Sequence, residues 1–221
     1  MEEDPMEIWQ FLSQNWHQTL NLAGQHAWVV SVSVIIAMAT GIPIGIWITF
    51  NDKAADMVLY IAGIIMTIPS IALFGIMIPI LSIIGHGIGT VPAIVALVLY
   101  SQLPIIRNTY AAIKSVDKNI IDAGIGMGMT RWQVLTKVQF PLALSVIFAG
   151  VRVAVVMSIG IGAIAAYIGA GGLGHFIFMG INQTYDAMIK SGAIAVAVMA
   201  VAVDFLLGRI ENRLVSKGLR T

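Results

Sequence analysis

Five long apolar runs divide the chain, and short polar segments separate them. The runs cover roughly Ala27–Phe50, Met57–Ile84, Val91–Ile113, Leu142–Ile168 and Ile189–Leu207. A helix of about 20 apolar residues crosses a bilayer, so the pattern predicts five membrane-spanning helices and an all-α, polytopic membrane protein. The last run is the shortest and contains Asp204. The second is longer than one crossing requires, which predicts tilt or a break near Pro69 or Pro79.

Composition leads to the same class of protein. Of the 221 residues, 58% are hydrophobic and 10% are charged, compared with about 25% charged in a typical soluble domain. The absence of cysteine excludes disulfides, thiolate metal sites and thiol catalysis. The chain starts with the acidic residues Glu2, Glu3 and Asp4. A cleaved signal peptide has a basic start, so we expect the first apolar run to remain in the mature protein.

The basic residues lie almost entirely in one set of connections. That set contains Lys53, Lys114, Lys118, Arg131, Lys137, Arg209, Arg213, Lys217 and Arg220. The opposite set contains only Lys190. Cytoplasmic loops carry the excess of Lys and Arg in membrane proteins. The distribution therefore predicts an external N-terminus and a cytoplasmic C-terminus.

This topology gives the chain three parts. Residues 1–25 form an external amphipathic segment, which Trp9, Trp16 and Trp28 anchor at the membrane interface. Residues 26–208 form a single transmembrane domain whose longest cytoplasmic loop is 114–141. Residues 209–221 form a basic cytoplasmic tail.

The cytoplasmic loop has the signals of two short helices. Asp117 and Thr130 are suitable N-caps, and Gly124, Gly126 and Gly128 end the first helix. Pro141 then opens the next span, since a first helical turn tolerates a missing N–H. We expect a helix–turn–helix against the membrane, offering Trp132, Val134 and Leu135 to an apolar groove of a partner and Arg131 and Lys137 to its rim. The alternative is an amphipathic loop that rests on the lipid headgroups.

The spacing in this loop resembles the EAA loop of ABC-importer permeases. Asp122, Ala123 and Gly124 occupy the opening triplet, Gly128 the conserved glycine of that pattern, Val138 and Phe140 the apolar pair, and Pro141 the proline. The resemblance implies a type I, MetI-like permease fold. It also implies that the loop couples the spans to a nucleotide-binding subunit through Asp122, Ala123, Gly124, Gly128, Arg131, Trp132 and Pro141.

ATP chemistry has to come from another polypeptide. No G-x-x-x-x-G-K-[ST] run occurs in the chain, and that run is what cradles nucleotide phosphates in P-loop proteins. We therefore expect no cofactor in this chain and no enzymatic activity of its own. ATP and Mg²⁺ would bind to the partner ATPase.

Three further runs resemble permeases for compatible solutes. They are Thr67–Gly75, Leu103–Tyr110 and Ile168–Gly174. The family takes up glycine betaine, choline and carnitine. The resemblance implies a prokaryotic cytoplasmic-membrane complex of two ATP-binding subunits, an extracellular binding protein and a second permease, identical or homologous. The partners then include the lipid bilayer and no nucleic acid.

Two sets of residues are candidates for contact with the solute or its binding protein. Gly169, Gly171, Gly172 and Gly174 form a flexible external loop, read either as a gate or binding-protein contact or as a simple tight turn. Quaternary ammonium groups bind aromatic faces. Phe74, Tyr100 and Tyr167 are therefore candidates to line the translocation path, with Tyr100 in the middle of the third span.

Three charged residues fall within the spans or near their ends: Arg107, Arg152 and Asp204. Arg152 and Asp204 lie at similar depth on consecutive antiparallel spans, which predicts an ion pair acting as a gate latch or as a structural tie. Arg107 would reach the headgroups. His86 and His175 lack carboxylate companions, so no metal site is expected.

An alternative function is an ion-gradient secondary transporter or channel for small cations or amino acids. That function predicts more ionisable residues at mid-depth in the membrane, and it leaves the loop around Asp122 unexplained.

Overall fold

The computed structural model describes residues 5–214. Its helices are α1 (Pro5–Gln14), α2 (Trp16–Trp47), α3 (Asp52–Thr67), α4 (Ser70–Ser82), α5 (Thr90–Lys114), α6 (Lys118–Gly126), α7 (Arg131–Val134), α8 (Phe140–Ala165), α9 (Gly174–Gln183) and α10 (Asp186–Leu214). Short 3₁₀ turns follow α2 and α8. No strand occurs between residues 5 and 214. Some residues used for the sequence predictions lie outside the described range: the acidic Glu2, Glu3 and Asp4 and the basic Lys217 and Arg220.

Four stretches are each long and apolar enough to cross a membrane alone. They are Trp16–Phe50, Thr90–Lys114, Arg131–Ile168 and Asp186–Arg213. Helices α3 and α4 are long and apolar enough only as a pair, and they are bent by 100° at their junction. The all-α class is therefore confirmed, and the five predicted spans correspond to these four stretches and the bent pair. The predicted boundary at residue 25 falls inside α2, which already begins at Trp16.

The bent pair α3–α4 is one broken crossing. Asp52, the first residue of α3, forms a 2.8 Å ion pair with Lys114, the last residue of α5. Helix α4 ends next to the turn that leads into Thr90, the first residue of α5. The pair thus connects the two opposite ends of α5. The predicted break near Pro69 is confirmed, whereas Pro79 lies within α4 without interrupting it.

The bundle has two ends that differ in construction. We call the end with the Asp52–Lys114 pair and helix α6 the α6 end. The opposite end, with the start of α5 and helix α9, is the α9 end.

Helix α5 is the centre of the bundle and packs on α2 and α8. Small residues allow this close approach. A Cβ on Gly45 of α2 would lie 2.6 Å from the Thr109 side chain, and one on Gly150 of α8 would lie 2.5 Å from that of Asn108. The buried hydroxyls of Ser101 and Ser158 are 3.0 Å apart between α5 and α8. Small residues and paired hydroxyls are how membrane helices pack tightly.

Helix α1 packs on the α9 end through one aromatic residue. Phe11 is buried and contacts the rings of Phe176 and Tyr185 edge to face, at 5.3 and 5.8 Å between ring centroids. Trp9 and Trp16 remain exposed on the outside. Helix α1 thus has one face against the bundle and an exposed face that carries Trp9.

Candidate functional site

The first helix of the loop between α5 and α8 begins and ends with well-defined caps. The Asp117 side chain accepts a hydrogen bond from the Asn119 amide at 2.9 Å, which confirms the predicted N-cap of α6. At the other end, Gly128 has a φ of +84°. The Met129 amide then donates to the Gly124 carbonyl at 3.1 Å. Glycine at such a left-handed position closes a helix without a steric penalty.

The second helix of the loop runs directly into α8. Thr130 and Gln133 form a capping box, with hydrogen bonds of 3.3 and 2.8 Å, so the predicted N-cap at Thr130 is confirmed. Helix α7 continues as a π-helical turn over Leu135–Gln139 and joins α8 at Phe140. Pro141 lies in the first turn of α8, which confirms its predicted position at the opening of this helix. The π-helical turn, with its i→i−5 bond from the Phe140 amide to the Leu135 carbonyl, joins α7 to α8 in front of the proline.

The apolar residues of α7 point to opposite sides. Trp132 is 67% exposed, whereas Val134 and Leu135 are each 3% exposed. Gly124 of α6 is buried against this pair of elements, and a Cβ there would lie 3.4 Å from the Val134 side chain. The expectation that Val134 and Leu135 enter a partner's groove is therefore wrong. These two residues attach the loop to the bundle, and Trp132 alone is presented outwards.

Helix α6 carries further exposed apolar residues beside Trp132. We define the α6 surface as Ile120, Ile125, Met127 and Trp132, of which Met127 is 78% exposed. Asp122, Ala123, Gly128, Arg131 and Pro141, which the sequence assigns to coupling, are also exposed. Within residues 5–214, the main packing partners of helix α6 are α7 and the π-helical turn after it. The α6 surface is therefore an exposed apolar patch with charged neighbours, a composition that is typical of protein-docking surfaces.

The glycine-rich segment at the α9 end packs against the bundle. Gly172 has a φ of +86°, and its amide donates to the Gln25 side chain at 3.2 Å. A Cβ on Gly172 would lie 3.1 Å from the His26 ring. A Cβ on Gly174 would lie 1.8 Å from the Ala163 carbonyl oxygen. This differs from the expected flexible loop, because α9 begins at Gly174 and both glycines are buried.

Gly169 and Gly171 complete this contact. Gly169 is exposed, with a φ of +82°, and follows Ile168, whose carbonyl accepts a hydrogen bond from the Gly89 amide at 2.9 Å. A Cβ on Gly171 would lie 2.3 Å from the Gln25 side-chain oxygen. Two glycine-rich turns and the Gln25 region of α2 thus meet at the α9 end.

The three predicted path aromatics lie in different surroundings. Phe74 and Tyr100 are 1% and 4% exposed and belong to one apolar cluster between α4 and α5. The Tyr100 hydroxyl donates to the Ile68 carbonyl. Tyr167 is exposed near the α9 end and contacts the Phe178 ring at 5.4 Å. The structure does not bring the three rings together.

The predicted pairing of Arg152 and Asp204 is confirmed. The guanidinium donates two hydrogen bonds, of 2.6 and 2.8 Å, to the Asp204 carboxylate. A third, of 2.9 Å, goes to Glu211. Gly208 makes room for this arrangement, since a Cβ there would lie 3.1 Å from the guanidinium. The cluster ties α8 to α10, whereas Arg107 lies exposed on α5.

Comparison with known proteins places this architecture in a family. The family described as "Binding-protein-dependent transport system inner membrane component" matches residues 41–220. The chain belongs to this family. It is therefore a multi-pass permease subunit, of a kind that works with an ATPase and a substrate-binding protein.

Individual relatives match this permease over almost its whole length. The osmoprotectant import permease OsmW of Salmonella typhimurium is 46% identical, over 97% of this chain and 100% of the relative. The carnitine transport permease OpuCB of Listeria monocytogenes is 43% identical, over 95% and 94%. The choline transport permease OpuBB of Bacillus subtilis is 39% identical, over 96% of each chain.

Solved structures share the fold. A chain of the MetNI methionine ABC transporter, in an inward-facing conformation, superposes with a TM-score of 0.82 at 25% identity, over 90% of this permease and 96% of that chain. A chain of an amino acid ABC transporter gives a TM-score of 0.74 at 19% identity, over 96% and 100%. The second likeness concerns the fold alone. The predicted MetI-like permease fold is confirmed.

Sequence reasoning missed three polar residues that hold the permease together. Glu211 lies seven residues after Asp204, which is two helical turns on the same face, so the spacing could have revealed it. Gln25 and His26 gave no such signal. His26 is 2% exposed and its Nε2 lies 3.0 Å from the Ile159 carbonyl, a contact that joins residues far apart in the chain.

Proposed function

We propose that this permease forms the translocation path of an ATP-driven importer for quaternary-ammonium compatible solutes. The observation that carries the proposal is the match, over nearly the whole chain, to relatives named for osmoprotectants, carnitine and choline. Glycine betaine, choline and carnitine share a quaternary ammonium group, so one path of suitable width and polarity serves all three.

We further propose that the ATP-binding subunit docks on the α6 surface. The surface is apolar and exposed, and it is attached to the bundle by α7 and its continuation into α8. A displacement of α6 by the ATP-binding subunit therefore moves α8 as well, because buried Val134 and Leu135 connect the two helices. The lysines and arginines around it support a cytoplasmic position for the α6 end. ATP and Mg²⁺ bind to the partner.

The whole importer then contains two permeases, identical or homologous, and two ATP-binding subunits. With the α6 end in the cytoplasm, the α9 end is external, and the binding protein delivers the solute there. Gly169, one of the predicted gate glycines, and Tyr167, one of the predicted path aromatics, are exposed at that end.

Uptake into membrane vesicles from the permease's own host tests this function. Radiolabelled choline, glycine betaine and carnitine are supplied with the binding protein, and methionine serves as the control solute. We expect uptake of a quaternary-ammonium solute that requires ATP and that persists with an ionophore. Uptake that an ionophore abolishes and ATP does not support would instead favour the ion-gradient secondary transporter.

The composition of the complex provides a second test. The permease is extracted gently from its host membrane and weighed by native mass spectrometry. We expect two permeases with two ATP-hydrolysing subunits. A permease without any ATPase, found in several detergents, would overturn the proposed coupling.

A further inference from the structure

The break between α3 and α4 lies at mid-depth in the bundle. The Tyr100 hydroxyl bonds to the Ile68 carbonyl, which places the break beside Tyr100. Tyr100 follows Thr90, the start of α5, by ten residues, or about 15 Å along the helix axis. The hydrocarbon core of a bilayer is about 30 Å thick. The chain therefore unwinds close to the middle of the membrane.

Backbone polar groups at the break lack helical partners. Ile68 directly follows α3, and its amide donates the last hydrogen bond to that helix, to the Ile65 carbonyl at 3.2 Å. The Leu73 amide, bonded to the Pro69 carbonyl at 3.0 Å, is the first in α4 to have an acceptor one turn earlier. The amides of Ser70, Ile71 and Ala72 therefore have no acceptor within α4.

One side of the break between α3 and α4 lies at the surface of the protein. Thr67 and Pro69 are exposed and Ser70 is half-buried. Irregular backbone at membrane depth is stable only where it meets protein or water, because hydrocarbon offers no hydrogen bonds. The open side of the break therefore faces a water-filled space or another protein chain rather than lipid.

We infer that the Ile68–Pro69 break lines the translocation path, with Thr67 and Ser70 on its polar edge and Tyr100 as the positioning residue that holds the bend. Tyr100 thus supports the path from behind instead of lining it. That this path carries a quaternary-ammonium solute rests on the proposed function, whereas its position at the break rests on the geometry above. Hydroxyl groups and water at this depth suit a solute that carries a permanent charge, because such a charge cannot cross bare hydrocarbon.

Tyr100 is built to hold this bend. It is 4% exposed and packs in one cluster with Leu73, Phe74 and Met77 of α4. Its ring thus fixes the first turns of α4, while its hydroxyl fixes the last residue before the break. Loss of the hydroxyl leaves the Ile68 carbonyl without this partner at a depth where no solvent reaches it from the α5 side.

Thiol labelling tests which medium the break faces. The chain has no cysteine, so Thr67→Cys introduces a single thiol into an otherwise unreactive protein. The probe is MTSET, a water-soluble methanethiosulfonate with a trimethylammonium group, applied to membranes that contain the complete importer. The matched control is Val198→Cys, which is 60% exposed in the middle of α10 with no break beside it.

We expect Thr67→Cys to react at least about tenfold faster than Val198→Cys, because the thiolate forms only where water reaches it. Equal, slow rates with MTSET in the membrane, for two thiols that both react fully with N-ethylmaleimide once the protein is unfolded in SDS, would overturn the inference. Choline added during labelling separates the two proposals. Fast labelling that no quaternary-ammonium solute slows keeps the path and overturns the solute class.

The positioning role of Tyr100 has its own test. Tyr100→Phe removes only the hydroxyl, and Tyr110→Phe makes the same change elsewhere on α5. We expect Tyr100→Phe to lower the maximal uptake rate about tenfold with a smaller change in KM, since it disturbs the motion of the path more than solute capture. It should also change the labelling rate of Thr67→Cys, which Tyr110→Phe leaves unaltered. Unchanged uptake and labelling would overturn the positioning role.

Discussion

The two ends of the bundle use glycine for opposite purposes. At the α6 end, Gly128 turns the chain with a φ of +84° and nothing lies within 4 Å of a Cβ placed there. At the α9 end, Gly174 fits directly against the α8 backbone, with no room for a Cβ. The first glycine shapes an exposed surface. The second brings helices of the same chain together, so a glycine-rich motif alone does not tell which role applies.

Breaking the packing at the α9 end should have the largest effect. In Gly174→Ala, the new methyl group would lie 1.8 Å from the Ala163 carbonyl oxygen, which is backbone and cannot rotate away. We expect the free energy of unfolding to fall by about 3 kcal/mol or more. Size-exclusion of a fluorescent fusion and the melting temperature in detergent measure this loss.

Gly160→Ala is the matched control for that change. Gly160 lies on the same helix as Ala163, and nothing lies within 4 Å of a Cβ at this position. We expect its melting temperature to equal that of the unaltered permease. A Gly174→Ala protein as stable as this control would show that the α9 end is loosely packed.

At the α6 end, removing an exposed side chain should affect a partner rather than the fold. We expect Trp132→Ala to weaken binding of the ATP-binding subunit by about 2 kcal/mol, or about thirtyfold in Kd, with no change in melting temperature. Val134→Ala, two residues away and buried, should instead cost about 2 kcal/mol of folding stability. Co-purification and thermal melting measure the two effects separately. The α6 surface would lose its docking role if Trp132→Ala bound the ATPase normally.

The Arg152 cluster joins α8 to α10 in a different way from the α9 end. The α9 end depends on close contact between backbones, whereas this cluster depends on hydrogen-bonded charges. We expect Arg152→Asp and Asp204→Arg each to lower the melting temperature, since each places like charges together. The double exchange should recover most of the loss. Because Glu211 also accepts from Arg152, Glu211→Gln should have a smaller effect than either single reversal.

The sequence predicts the parts of this permease that repeat a simple pattern. Apolar runs of sufficient length predicted the spans, and capping residues such as Asp117 and Thr130 predicted the loop helices. Contacts between distant residues were mostly out of reach. The bond between Tyr100 and Ile68 and that between His26 and Ile159 depend on how helices rotate against each other, which no local spacing encodes. Val134 and Trp132 differ in burial for the same reason.

The smallest effect should come from the turn that shapes the α6 surface. Gly128 and Gly126 both have open space around a Cβ, but only Gly128 has a positive φ. Gly128→Ala should therefore raise the conformational energy of the folded turn by about 1 kcal/mol, because alanine disfavours a positive φ. Gly126→Ala should leave that energy unchanged. Since α6 packs mainly on α7 and the turn after it, this strain loosens the α6 surface and leaves the spans intact. We expect Gly128→Ala to weaken ATPase binding about fivefold while lowering the melting temperature by at most about 3 °C. Equal binding by the two variants would mean that the partner itself, and not this turn, sets the shape of the docked loop.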